Sequence, residues 1–133
     1  MTSRRLVVAP LVVAALLGMS ACAQIQHIEQ RHFDTRADAP TSGDLAFVLP
    51  DYVPDTATDI TVRVGTTDPA AKMYDWAAKQ FEAPADCQKV SADDAADPFD
   101  PAAWPQAARS GPTLKCGDKP VYLRYVAERV YAW

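Results

Sequence analysis

The chain begins with a segment that is first charged and then apolar, and this segment determines which part of the chain forms the folded domain. Arg4 and Arg5 precede twelve almost uninterrupted apolar residues, Leu6 to Leu17. A positive start followed by an apolar stretch of this length is typical of an export signal. The run ends at Gly18 to Ser20, short of the roughly 20 apolar residues that span a bilayer. We therefore expect residues 1–21 to direct export and the remaining chain to make the fold.

The sequence MSAC, residues 19–22, closes this segment. It resembles the lipobox of bacterial lipoproteins, in which a large apolar residue and two small residues precede a cysteine. The resemblance implies that Cys22 becomes the lipid-modified N-terminus after cleavage, although Met19 stands where leucine is usual. Ala21 and Ala23 also fit a small-x-small cleavage site, so a secreted soluble chain is the alternative. Lipidation predicts a protein anchored by acyl chains such as palmitate at the extracytoplasmic face of the cell membrane.

The number of cysteines agrees with lipidation. Three cysteines in an exported chain leave one unpaired, and a lipid on Cys22 accounts for it. The other two, Cys87 and Cys116, can then form a disulfide in the oxidising exterior. A metal site is disfavoured because there is no CxxC motif and no histidine near either cysteine in the sequence. We predict a disulfide between Cys87 and Cys116 and no metal ligands.

Residues 22–43 are polar and end in Pro40, Thr41, Ser42 and Gly43, a composition typical of a loop. We expect a tether that is flexible or partly helical. His27 and His32 lie five positions apart, so on a helix they would point about 140° away from each other and would not share a metal. The predicted organisation is a signal peptide over 1–21, a lipidated cysteine and tether over 22–43, and a globular domain over 44–133.

The charge of the mature chain excludes some partners. Without residues 1–21 the chain keeps 11 basic residues against 17 acidic ones, so its net charge moves from −4 to −6. This argues against binding nucleic acid and against attraction to anionic lipid, so the covalent lipid has to hold the protein at the membrane. The globular domain also lacks histidine, a GxSxG motif and a glycine-rich phosphate loop. We expect neither enzymatic activity nor a cofactor.

Apolar residues that alternate with polar ones predict a domain rich in β-strands. Residues 44–50 (DLAFVLP) and 59–67 (DITVRVGTT) are typical of strands. Residues 70–81 and 121–133 fit a helix or a strand, and we favour strands, with a hairpin turn at residues 127–128. The insert 83–112 is expected to be a loop. The predicted fold class is α+β or mostly β, a small single domain with an antiparallel sheet of about 4–5 strands behind the signal helix and tether.

Four aromatic residues are candidate ligand contacts: Trp76, Trp104, Tyr122 and Tyr125. Tyrosine and tryptophan offer a large contact area at low entropic cost. The alternative interpretation is that they pack the core of a small β-rich domain. Packing is the interpretation that we favour, because a small β-rich domain needs aromatic residues in its core.

The short chain, rich in Ala, Asp and Pro and carrying a lipobox, is similar to small lipoproteins of high-GC Gram-positive bacteria. That resemblance implies a location and no activity. We expect a non-catalytic binding or scaffolding module that docks on a protein of the cell envelope. The alternative is a ligand-binding lipoprotein that presents its aromatics to a wall glycan or a small molecule. The sequence indicates no oligomeric state.

Overall fold

The backbone forms one seven-stranded antiparallel sheet with the strand order β1-β2-β3-β7-β6-β5-β4. The computed structural model describes residues 27–68 and 70–133, so the signal segment and Cys22 lie outside the described residues. The strands are β1 (Ile28–Thr35), β2 (Thr58–Gly65), β3 (Lys72–Ala77), β4 (Cys87–Val90), β5 (Thr113–Cys116), β6 (Val121–Val126) and β7 (Arg129–Ala132).

The helices in the described ranges are single 3-10 turns. They are Arg36–Asp38, Leu45–Phe47, Ala92–Asp94, Pro101–Ala103 and Gln106–Ala108. Within these ranges no helix has the length and apolar character needed to cross a bilayer. The prediction of a small, mostly β domain with an antiparallel sheet is confirmed, whereas the predicted count of about 4–5 strands is too low.

The N-terminal edge strand β1 replaces part of the expected tether. The prediction of a flexible or helical segment is wrong over residues 28–35, because these residues pair along their length with β2. Phe33 lies opposite Ile60 and packs against the core, while Arg31 lies opposite Val62. A strand at the edge of a sheet has one neighbour, so a polar sequence such as IEQRHFDT can form it.

Residues 44–50 cover the sheet and do not form a strand, so the strand predicted there is wrong. Phe47 and Leu49 are buried, and the segment begins with a 3-10 turn. The Arg36 guanidinium donates hydrogen bonds to the carbonyls of Leu49 and Pro50, at 3.4 and 2.9 Å. These carbonyls are therefore bonded to a side chain and not to a neighbouring strand.

Side chains alternate between the two faces of the sheet along each strand, and each face packs against a core of its own. The front face carries the larger core, which includes Ile60, Val62, Trp76, Leu123 and Val130. Residues 39–57 contribute to this core. The back face carries a smaller core of Met73, Trp104, Ala108 and Tyr131, packed against Phe99, Val126 and Trp133. The expected loop 83–112 thus supplies the cover of the back face, and it also contains β4.

Two local predictions are confirmed. Residues 121–133 form a β-hairpin, and its turn residues Ala127 and Glu128 both have positive φ angles, 51° and 59°. Two such residues make a type I′ turn, which matches the twist of the flanking strands. Cys87 and Cys116 form a disulfide and lie directly opposite each other in the β4–β5 pair.

Candidate functional site

A groove of about 1310 Å³ lies on the front face between two covering segments. Its floor is formed by side chains of the sheet, Trp76, Leu123 and Val130. One wall is the segment 51–58 that leads into β2, and the other is the segment 77–84 that follows β3. Thr58 and Ala77 lie opposite each other in the β2–β3 pair. The two walls therefore start side by side at one end of the sheet and enclose the space between them.

The 77–84 wall is fastened to the β6–β7 hairpin. The Tyr125 hydroxyl donates to the carbonyls of Ala78 and Lys79, at 3.0 and 3.2 Å. The Tyr125 ring stacks on Phe81 with 5.5 Å between the ring centroids. The Ala78 amide donates to the Glu128 carbonyl at 2.9 Å. Because these contacts fix the wall in the unliganded chain, a ligand would meet a largely pre-formed site.

The 51–58 wall presents Tyr52 to the groove. The ring of Tyr52 meets Tyr74 edge-on, with centroids 6.0 Å apart. Burial raises the pKa of the Tyr52 phenol above its usual range and raises that of Tyr74 to about 12. Both phenols are therefore neutral at physiological pH, and Tyr52, which lines the groove, adds no negative charge to this wall.

A second cavity of about 200 Å³ extends the groove toward the disulfide. Tyr52, Pro84 and Leu123 line both spaces, so the two are neighbours across these side chains. The far end of the second cavity is lined by Cys116 and Lys119, among others. Together the two spaces follow β6 from the end next to the β6–β7 turn to the end next to the disulfide.

The structure divides the four predicted ligand contacts between the two faces. On the front face, Trp76 forms part of the floor of the groove and is only 2% exposed, whereas Tyr125 lies outside the lining and stacks on the wall residue Phe81. Trp104 and Tyr122 pack on the back face, where both contact the ring of Trp133. Trp76, Trp104 and Tyr122 are all buried, so they do not present open ring faces.

Tyr52 and Phe81 are not among the four predicted ligand contacts, yet both line the groove. Each stands in a segment that leaves the sheet and contains a proline, Pro54 and Pro84 respectively. An aromatic residue two or three positions before a proline, next to a strand end, is the only local signal that marks them. That pattern is too common to identify a binding site by itself.

The back face holds a separate cluster of charges around Arg129. Its guanidinium contacts the carboxylates of Asp59 and Asp75, at 2.5 and 2.6 Å. Burial raises the pKa of Asp75, and the hydrogen bond from Arg129 opposes that rise. The indole N–H of Trp104 also lowers the pKa of Asp75, although it lies beyond hydrogen-bonding geometry. The cluster fastens β2, β3 and β7 to one another, and we assign it a structural role.

In residues 27–68 and 70–133, no group of three or more His, Cys, Asp or Glu side chains is placed to hold a metal ion. The chain matches no family model, no curated protein and no solved structure. The groove is therefore the feature from which a function is inferred.

Proposed function

We propose that this protein is a lipid-anchored, non-catalytic binding module on the extracytoplasmic face of the cell membrane. We further propose that the groove between segments 51–58 and 77–84 binds a small ligand with an apolar body. The concave shape of this site carries the proposal, because small-molecule sites are clefts lined by apolar and aromatic side chains with a few polar groups at the edge.

A small ligand fits the surface better than a protein partner does. Among the described residues the exposed large apolar side chains are Leu45, 73% exposed, and Tyr125, 37% exposed. Isolated exposed side chains are normal on soluble domains, and a protein-docking patch would need a contiguous apolar area. A wall glycan has little support from the floor of the groove, since sugars stack on open ring faces and Trp76 is only 2% exposed.

The groove can be tested with a neutral aromatic probe, 3-phenylpropanol, titrated into ¹⁵N-labelled protein. We expect amide shifts to concentrate on both walls and on the floor residues. The variant Thr56→Trp should weaken this binding at least fivefold, because Thr56 lines the groove and a tryptophan there would obstruct part of it. Thr67→Trp is the matched control, since Thr67 is also exposed but lies in the β2–β3 turn outside the groove.

The same titration with N,N′-diacetylchitobiose should leave the groove amides unshifted. A sugar that bound there more tightly than the aromatic probe would favour the glycan ligand and contradict the small apolar one. Equal binding by wild type and Thr56→Trp would show that the probe binds elsewhere and would overturn the groove as the site.

Membrane attachment is tested by the intact mass of the protein from the membrane fraction. We expect a chain that starts at Cys22 and carries two or more acyl groups, since a single chain gives only marginal attachment. Cys22→Ala should remove the acyl mass completely. The double variant Cys87→Ala/Cys116→Ala should keep it, because those residues form the disulfide. An unacylated wild-type chain that starts at Ala23 or Gln24 would contradict the anchor.

A further inference from the structure

We infer that the groove selects an organic cation, a positively charged amine joined to an apolar or aromatic body. The inference rests on the proposed function, because it assigns a charge to the ligand of that same groove. It is argued from the charges along the edge of the groove, from the pairing of charges elsewhere in the chain, and from the aromatic walls.

The charged residues that line the larger cavity are three carboxylates and one amine. Asp51, Glu82 and Glu128 are exposed along its edge, and Lys79 is the single basic residue among them. In the ranges that the structure describes, none of these four side chains forms a salt bridge. The edge of the groove therefore carries an excess of two negative charges with no intramolecular partner.

Elsewhere in the described residues, four of the six arginines are paired with carboxylates. Four arginines each contact a carboxylate at salt-bridge distance: Arg31 with Asp44, Arg36 with Asp55, Arg63 with Asp100, and Arg129 with Asp75. The chain is acidic and has more carboxylates than basic side chains, so some carboxylates have no partner. The carboxylates at the groove are among those left over, and they surround a cavity into which a ligand fits.

The walls of the groove also favour a cation. Phe81 and Tyr52 bring aromatic rings to the two sides, and the electron-rich face of such a ring attracts an ammonium group. Burial keeps the Tyr52 phenol neutral, so the attraction does not depend on its ionisation. In the smaller cavity Asp86 and Lys119 have opposite charges. The excess negative charge is thus confined to the larger cavity, with the apolar floor beneath it.

Three probes with one shared body separate this inference from the proposed function: 3-phenylpropylammonium, 3-phenylpropanol and 3-phenylpropionate. Their dissociation constants are measured by NMR titration of the wild-type domain at low ionic strength. We expect the ammonium to bind about fivefold more tightly than the alcohol, and the carboxylate to bind about fivefold more weakly. The preference should shrink as salt is added, because the carboxylates at the edge are exposed.

Substitutions at the edge of the groove identify the source of the preference. Asp51→Asn/Glu82→Gln/Glu128→Gln should remove the preference for the ammonium and leave the affinity for the alcohol within about twofold. Lys79→Gln should increase the preference, because it removes the opposing charge. The preference for a cation would be contradicted if the triple variant kept the wild-type selectivity, or if all three probes bound the groove equally well. Either result would leave the groove as a binding site. If no probe shifted the groove amides, the binding site itself would be overturned.

Discussion

Replacing both cysteines of the disulfide with alanine is expected to lower the free energy of unfolding by about 3–4 kcal/mol. Cys87 and Cys116 are 29 positions apart in the sequence. Closing a loop of that length removes conformational entropy from the unfolded chain, and the chain-entropy model assigns about 3.6 kcal/mol to it. A small domain has a net stability of about 5–15 kcal/mol, so the loss is a large share of the total.

In addition to this global loss, one edge of the sheet should become looser. Strand β4 has four residues and is paired with β5 alone, and its central residues Gln88 and Lys89 are exposed. Little apolar burial therefore holds β4 in place apart from the disulfide. We expect amide exchange in Cys87→Ala/Cys116→Ala to accelerate more in β4 than in the interior strand β3.

Urea unfolding of the wild type and the double variant measures this effect. Reductant is the matched control: it should lower the stability of the wild type by a similar amount and leave the double variant unchanged. A double variant within about 1 kcal/mol of the oxidised wild type would show that residual structure in the unfolded chain already restricts the loop.

Strands whose own sequence carries an alternating apolar pattern could be predicted. Ile60, Val62 and Val64 in β2 follow a strict period of two and all point into the front core. The hairpin over 121–133 was favoured because its aromatic and β-branched residues suit strands and because two residues suffice for its turn. In each case the information lies within about ten consecutive residues.

Strands stabilised by distant partners could not be predicted in this way. β1 is polar and depends on β2, while β4 and β5 are four residues each and depend on the disulfide and on β6. Residues 44–50 show the opposite error, because Phe47 and Leu49 have the spacing of a strand but are buried as a cover over the sheet. The spacing of apolar residues predicts which side chains are buried. It does not predict whether the backbone of that segment pairs with a neighbouring strand.

The groove shows the same limit. Of the four predicted ligand contacts, Trp76 lines the floor of the groove, whereas Tyr125 does not line it and only stacks on the wall residue Phe81. Tyr52 and Phe81 were missed because they lie in irregular segments that have no periodicity. The groove exists only because residues about 30 positions apart leave the sheet at the same end, which depends on the register of β2 and β3. Sequence patterns carry no direct information on such a register.

Arg124→Met is expected to lower the free energy of unfolding by about 3 kcal/mol. Arg124 lies in β6 on the back face and is only 4% exposed. Its guanidinium donates hydrogen bonds to the Ala108 carbonyl and, over 2.7 Å from Nη2, to the Thr113 hydroxyl. The guanidinium also lies 5.0 Å from the centroid of the Trp133 ring. Burial without a nearby carboxylate lowers the pKa of Arg124. The side chain thus joins the 104–112 cover to the sheet.

Methionine keeps most of the volume of Arg124. It cannot donate a hydrogen bond, so the buried Ala108 carbonyl and Thr113 hydroxyl lose their donor. An unsatisfied buried polar group costs about 1–3 kcal/mol. Arg124→Lys should not restore stability, because one ammonium cannot reproduce the planar fork that reaches both acceptors. Thr113→Val added to Arg124→Met should cost less than the sum of the two single changes, because both remove the same hydrogen bond.

Arg31→Met is the matched control for Arg124→Met. Arg31 is also an arginine in a strand, but its side chain is 39% exposed and its partners are surface carboxylates, so the change should cost much less than Arg124→Met. Urea unfolding followed by tryptophan fluorescence suits the comparison, since Trp104 and Trp133 pack beside Arg124 on the back face. Equal losses in the two variants would contradict a special role for Arg124, and the 104–112 cover would then be held by apolar packing alone.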